Sequence, residues 1–143
     1  MKPCLGDVNV FLALLVSHHD HHNLAREWFD DLSAGEAGLC RIVQLSLVRL
    51  LGNRSVMGPY TVPAGKAWAT IQELLEDERV EFVAESDGLD YAFPLLLKYP
   101  MPTPKLVADA YLAAFAISAR RRLVTLDAGF RQFSRLDFRV LGQ

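Results

Sequence analysis

Stretches of helical and of strand-like hydrophobic spacing follow one another along the chain, and the switches between them mark the elements. Residues 3–6 read as a short strand leading into an apolar helix through "VNVFLALLV" (8–16). A second helix is expected over about 21–33, where Leu24, Ala25, Trp28 and Leu32 share one face, with Asp20 as a candidate cap for its first turn. "SAGEAG" then breaks the chain, and "RIVQLSLVRLL" (41–51) reads as a third helix ended by Gly52 and Asn53. A loop with two glycines and two prolines leads to Pro63, suited to the first turn of the helix "AGKAWATIQELLED". That helix is expected to bury Ala67, Trp68, Ile71, Leu74 and Leu75.

"RVEFVA" (79–84) alternates as a strand does. "LDYAFPLLLKYP" predicts a short helix bent or interrupted at Pro94 and terminated by "MPTP". "KLVADAYLAAFAISARR" predicts a long apolar helix, "RLVTLD" a nearly continuous apolar strand, and "DFRVL" a closing strand. Strands separated by helices give an α/β fold, helix-rich, around a short and mainly parallel sheet.

Composition narrows the function classes. The 143 residues are expected to form a single domain, 1–143, with one core. A net charge of -2 excludes a protein that coats nucleic acid by bulk positive charge, so any such contact must be local. No apolar run reaches the ~18 residues of a membrane span, and the N-terminus lacks a cleavage pattern, so a cytoplasmic protein without a membrane partner is expected. Cys4 and Cys40 read as buried thiols rather than a disulfide.

Three acids stand where the local pattern asks for apolar residues. Asp7 follows the first strand, Asp109 lies within "LVADAYLAAFAI", and Asp127 ends the strand "LVTL". A carboxylate in such company is costly unless a cation or hydrogen bonds satisfy it. Asp7 and Asp127 can each be explained as caps; Asp109, in mid-helix, cannot. Strand C-termini of a parallel sheet converge on one edge, so these acids can form an oxygen cluster suited to Mg²⁺ or Mn²⁺.

With these residues in view, the chain resembles the PIN-domain ribonucleases, specifically the VapC-type toxins of bacterial toxin–antitoxin pairs. The matching pieces are "LGDVNVFLALL", "HHNLAREWF", "CRIVQLSLVRLL", "VMG", "AGKAWATIQELL", "VADAYLAAFA" and "RLVTLDAGF", in order over most of the chain. The resemblance implies a PIN-like three-layer α/β/α fold, with Asp7, Asp109 and Asp127 as acidic ligands of Mg²⁺, for which Mn²⁺ can substitute. Asn9 and Thr125 match positions that order the site. In the third helix the family usually has a glutamate, and the aligned residue here is Gln44, which offers a carbonyl oxygen but no charge.

The implied activity is metal-dependent hydrolysis of RNA phosphodiesters, in transfer RNA or a structured ribosomal RNA loop, leaving 5′-phosphate and 3′-hydroxyl ends. The implied partners are a cognate VapB-like antitoxin, seated between the early helices and the helix near 63–76, and a second copy of the chain. Arg49, Arg120, Arg121, Arg122 and Arg131, with Arg135 and Arg139, form the candidate RNA track, since guanidinium forks suit phosphate oxygens.

Two other readings remain open. Gln44 favours a PIN-like module that binds RNA or protein with weak or no cleavage. An Asp7 nucleophile would instead make a phosphotransfer domain, though no lysine motif near the late strands supports it. All four histidines, His18, His19, His21 and His22, flank Asp20 and resemble a metal site. Their place at a loop-to-helix junction favours a structural role, with a weak adventitious Zn²⁺ or Ni²⁺ site as the alternative.

Overall fold

In the computed structural model, which describes residues 2–97 and 103–143, five parallel strands form one sheet in the order β3-β2-β1-β4-β5. They are β1 (Cys4–Gly6), β2 (Ala37–Cys40), β3 (Val80–Val83), β4 (Arg122–Thr125) and β5 (Phe138–Val140). The helices are α1 (Val8–Leu15), α2 (His22–Asp30), α3 (Arg41–Leu51), α4 (Arg54–Met57), α5 (Ala64–Glu76), α6 (Leu89–Leu96) and α7 (Lys105–Ala119). Short 3₁₀ turns cover Gly58–Tyr60 and Ala128–Gln132.

The chain steps outward from β1 through β2 to β3, then crosses back over both to β4. Right-handed crossovers therefore put α1–α5 on one face of the sheet and α6–α7 on the other, giving three layers. Packing follows that division, with α1 on α2 and α3, α3 on α5, and α6 on α7. The direction of winding reverses between β1 and β4, and parallel sheets form their ligand crevices at such a reversal.

Most expected elements form, with differences that have physical causes. Strand β2 was not foreseen. Its four residues, AGLC, are buried throughout and carry no alternation, because a parallel strand covered on both faces has no polar side. Helix α2 is shorter than 21–33, and Asp20 does not cap it: His21 is the N-cap residue and no side chain bonds there. Pro63 is the N-cap of α5 rather than part of its first turn. Of the face assigned to α5 only Ala67 and Ile71 are fully buried, and Trp68 is 37% exposed. Pro94 lies inside α6 without ending it. Part of "MPTP" lies outside the described residues.

The core joins Leu5, Phe11, Leu39, Leu47, Leu123 and Phe130 across sheet and helices. Cys4 and Cys40 are free buried thiols, and burial pushes the Cys40 thiol up to about 11. Among the described residues no helix is long and apolar enough to cross a membrane.

Candidate active site

The central strands deliver two of the carboxylates to one edge. Asp7 directly follows β1, and its N–H still donates to the Val124 carbonyl of β4 at 2.9 Å, so the sheet ladder fixes its backbone. It is also the N-cap of α1: Oδ1 accepts from the Val8 N–H at 2.7 Å. A carboxylate suits the positive end of a helix. Oδ2 accepts from the Thr125 hydroxyl at 2.7 Å.

Thr125 ends β4 and is fully buried, so its hydroxyl becomes the hinge of the site. Having donated to Asp7, Oγ1 accepts from the Asp127 N–H at 3.0 Å and from Asn9 Nδ2 at 3.4 Å. Asn9 Oδ1 in turn accepts from the Leu126 N–H at 3.1 Å, tying α1 to the strand end. Asp127 caps the following 3₁₀ turn through Gly129 N–H at 2.8 Å, which leaves Oδ2 facing outward. Asp7, Asn9, Thr125 and Asp127 thus form one hydrogen-bonded unit at the topological switch point.

Asp109 comes from the opposite layer, on the second turn of α7. Among the described residues it makes no hydrogen bond with the unit, but it shares its field. Asp7 is 7% exposed, and desolvation raises its pKa against the two hydrogen bonds, with Asp109 and Asp127 adding like-charge repulsion. Desolvation also raises the Asp109 pKa; Lys105 opposes the shift and Asp127 adds to it. Lys105 Nζ lies 3.7 Å from Asp127 Oδ2 and is 75% exposed. This lysine was not among the expected site residues. It falls one helical turn before Asp109, and that offset is the only signal that could have found it.

The donor set is all oxygen and anionic, which fits a hard divalent cation, and the mutual repulsion is the kind such a cation relieves. Among the described residues, however, no three His, Cys, Asp or Glu side chains close into a ready-made metal shell. Asp7, Asp109 and Asp127 are the groups that would hold the ion. When bound, a divalent cation supplies an activated water and offsets charge on the leaving oxygen.

Gln44 is 1% exposed, so it is not a polar residue on the helix surface. Its Oε1 accepts from Arg41 Nη1 at 2.7 Å, which ties it to the start of α3.

The structure spreads the arginines of the candidate RNA track over both ends of the sheet. Helices α3 and α7 run back along the sheet, so Arg49 in the last turn of α3 and Arg120 beyond α7 lie near the strand N-termini. Arg121 donates to the carbonyl of Cys4 at 3.1 Å and to Glu81 at 2.8 Å. Arg122 opens β4 and pairs with Asp137, as does Lys2. Strand and helix geometry put these four residues roughly 10–16 Å from the carboxylates. Arg131, in the turn after Asp127, is the one of the five on the same edge.

The histidines do other work. His22 Nδ1 bonds the Ala13 carbonyl at 2.8 Å, His19 Nδ1 accepts from the His21 N–H at 3.0 Å, and His18 stacks on Tyr60 with centroids 4.4 Å apart. Burial and the neighbouring His21 lower the pKa of His19.

Comparison with known proteins agrees with this architecture. The PIN domain family profile matches residues 5–136. Ribonuclease VapC41 of Mycobacterium tuberculosis is 41% identical over 97% of this chain and 99% of its own. VapBC2 of Rickettsia felis, solved bound to a DNA fragment from its promoter, superposes with a TM-score of 0.65 at 15% identity, covering 96% of this chain and 97% of that one. M. tuberculosis VapC20, described as a sarcin–ricin loop cleaving toxin, gives 0.65 at 14% identity, covering 92% and 95%.

Proposed function

The chain belongs to the PIN-domain family, among the VapC-type ribonucleases, and from that premise we propose that it is the toxin of a toxin–antitoxin pair, a Mg²⁺-dependent endoribonuclease neutralised by a VapB-type antitoxin. The observation that carries the reading is the Asp7–Thr125–Asp127–Asn9 unit, fixed at the sheet's switch point with Asp109 added from the opposite layer.

Each residue has a task in that reading. Thr125 and Asn9 lock the two strand-end carboxylates, so no reorganisation is needed when substrate arrives. Asp127 and Asp109 present the more accessible oxygens. A partly exposed carboxylate with a raised pKa, such as Asp109, is suited to take the proton from an attacking water. Lys105 and Arg131 offset the approach of phosphate to an acidic edge.

The finer expectations belong to the same proposal: cytoplasmic location, a homodimer, and an unpaired loop of transfer or ribosomal RNA as substrate, since splayed bases are read more readily than duplex. Gln44 and the unclosed oxygen shell favour one second reading, a PIN-like module that binds RNA or protein and cuts weakly.

Cleavage of total bacterial RNA by antitoxin-free protein in Mg²⁺, Mn²⁺ and EDTA separates the two. Discrete fragments that disappear with EDTA and with Asp7→Ala or Asp109→Ala support the nuclease. Binding without fragments in either metal selects the module.

A further inference from the structure

The same sheet edge continues past the carboxylates. In register, Leu5 pairs with Gly38, which brings Cys40, the last residue of β2, level with Asp7 on the neighbouring strand. The Cys40 thiol feels the Asp7 charge, as that placement requires. Arg41 comes next, as the first residue of α3. Its guanidinium stands 4.9 Å from the Phe82 ring centroid and 5.8 Å from that of Trp68, and it is bonded to buried Gln44. Among the described residues Arg41 joins no ion pair and makes one side-chain hydrogen bond, of the five a guanidinium can donate. Beside it opens a pocket of about 500 Å³, lined by Ile42, Leu45, Phe82, Tyr111 and Phe115, with Glu85 holding the Tyr111 hydroxyl.

We propose that this pocket is the base-binding subsite of the nuclease: a nucleotide of unpaired RNA places its base against the aromatic wall and its phosphate on Arg41, next to the scissile bond at Asp7. The inference rests on the proposed ribonuclease reading. A flat guanidinium beside aromatic rings, with free N–H groups turned to solvent, matches how single-stranded RNA is gripped, by stacking and by phosphate forks. Charge placement agrees, because Arg41 supplies a positive group on the β2 side of the carboxylates, opposite Arg131 in the turn after β4. Gln44 is then a positioning residue. Its neutral carbonyl holds the fork without cancelling its charge, as a glutamate in its place would.

Trp68 gives a readout that needs no catalysis, since Trp28 is buried in the core. Titration with a short unstructured oligoribonucleotide in EDTA should quench Trp68 fluorescence, and Trp68→Phe should abolish the signal. Arg41→Ala and Arg41→Lys should each weaken binding about tenfold, and an abasic oligomer should lose as much. Gln44→Ala should fall between, raising KM more than it lowers kcat. Quenching by wild type that cuts no RNA in Mg²⁺ or Mn²⁺ upholds the pocket and rejects the nuclease. RNA cleavage with unchanged binding and KM in Arg41→Ala overturns the pocket and leaves the nuclease standing. A Trp68 signal that follows protein concentration and not RNA, and that Leu45→Arg removes, gives the pocket to a second copy of the chain and also overturns the proposal.

Discussion

At the N-terminal edge of the sheet three long cations, Lys2, Arg121 and Arg122, have found anionic partners. Lys2 and Arg122 share Asp137, and Arg121 is threaded between the Cys4 and Gly35 carbonyls and the Glu81 carboxylate. Gly38 makes that passage possible, since a Cβ there would stand 3.0 Å from Arg121 Nη1 and 2.5 Å from the Cys4 carbonyl oxygen. At the C-terminal edge the balance is reversed. Three carboxylates repel one another through a shared field, and Lys105, 3.7 Å from Asp127, is the cation that pairs with one of them among the described residues. An edge whose charges are mutually satisfied contributes stability, whereas an edge that holds charge unsatisfied is prepared for a ligand.

The sharpest way to break this contrast is Asp7→Asn. Cleavage should fall by about 10²-fold or more, because the site loses one of the three charges that would hold the ion. The fold should survive the loss of one hydrogen bond, because the single amide oxygen can accept from the Val8 N–H or from the Thr125 hydroxyl but not from both. Its pH dependence carries a sign. The Asp7 pKa is raised in the folded protein, so folding takes up a proton between 3.8 and the raised value. Stability from this group is present below 3.8 and is lost as pH rises through the folded pKa. Denaturation profiles of Asp7→Asn should be flatter across that window than wild type. A steeper profile, or loss of folding, would show that the ionised carboxylate is stabilising.

Arg121→Ala tests the opposite edge. Removing it withdraws the donor from the Cys4 and Gly35 carbonyls, while the exposed Glu81 carboxylate turns to water, so stability should drop by about 1–3 kcal/mol. RNA affinity should not change. A selective loss of RNA binding with intact stability would return Arg121 to the substrate track.

How much of this was legible in the sequence differs between the two edges. The carboxylates were visible because each violates its surroundings: an acid in "LVADAYLAAFAI" has no local reason to exist. Arginines violate nothing on a surface, and the partners of Arg121 and Arg122, Glu81 and Asp137, lie 40 and 15 residues away, so the sequence carried no sign of those pairs. Strand β2 was hidden because a short, fully buried strand carries no period. Gln44 stood out only against the family pattern, and its partner Arg41, one helical turn before it, was not singled out because nothing local marks it.

Lys105→Gln should have a smaller effect. An exposed ammonium near Asp127 and Asp109 competes with any cation for the same oxygens. Its removal is worth the ~0.2–1 kcal/mol of a surface pair, so apparent Mn²⁺ affinity should tighten by roughly two- to fivefold. Weaker Mn²⁺ binding in isothermal titration would mean that Lys105 helps to organise the site instead of occupying it.

The smallest functional effect is expected where the sequence looked most like a metal centre. Replacing His18, His19, His21 and His22 together by alanine should leave metal-dependent cleavage within twofold of wild type, on the order of experimental error in such rates. These rings already hold the α1–α2 connection: His22 bonds the Ala13 carbonyl, His19 takes the His21 N–H, and His18 lies on Tyr60. Their loss should therefore appear as about 1–2 kcal/mol in denaturant unfolding, from two hydrogen bonds of ordinary worth. The pocket they border is floored by Leu12, Val16, Val56 and Met57, away from the strand ends that carry Asp7 and Asp127. Cleavage that vanished with the histidines but survived Asp7→Asn would reverse the assignment. Equal cleavage with lower stability would show that four imidazoles can cluster for packing alone, while three scattered aspartates make the site.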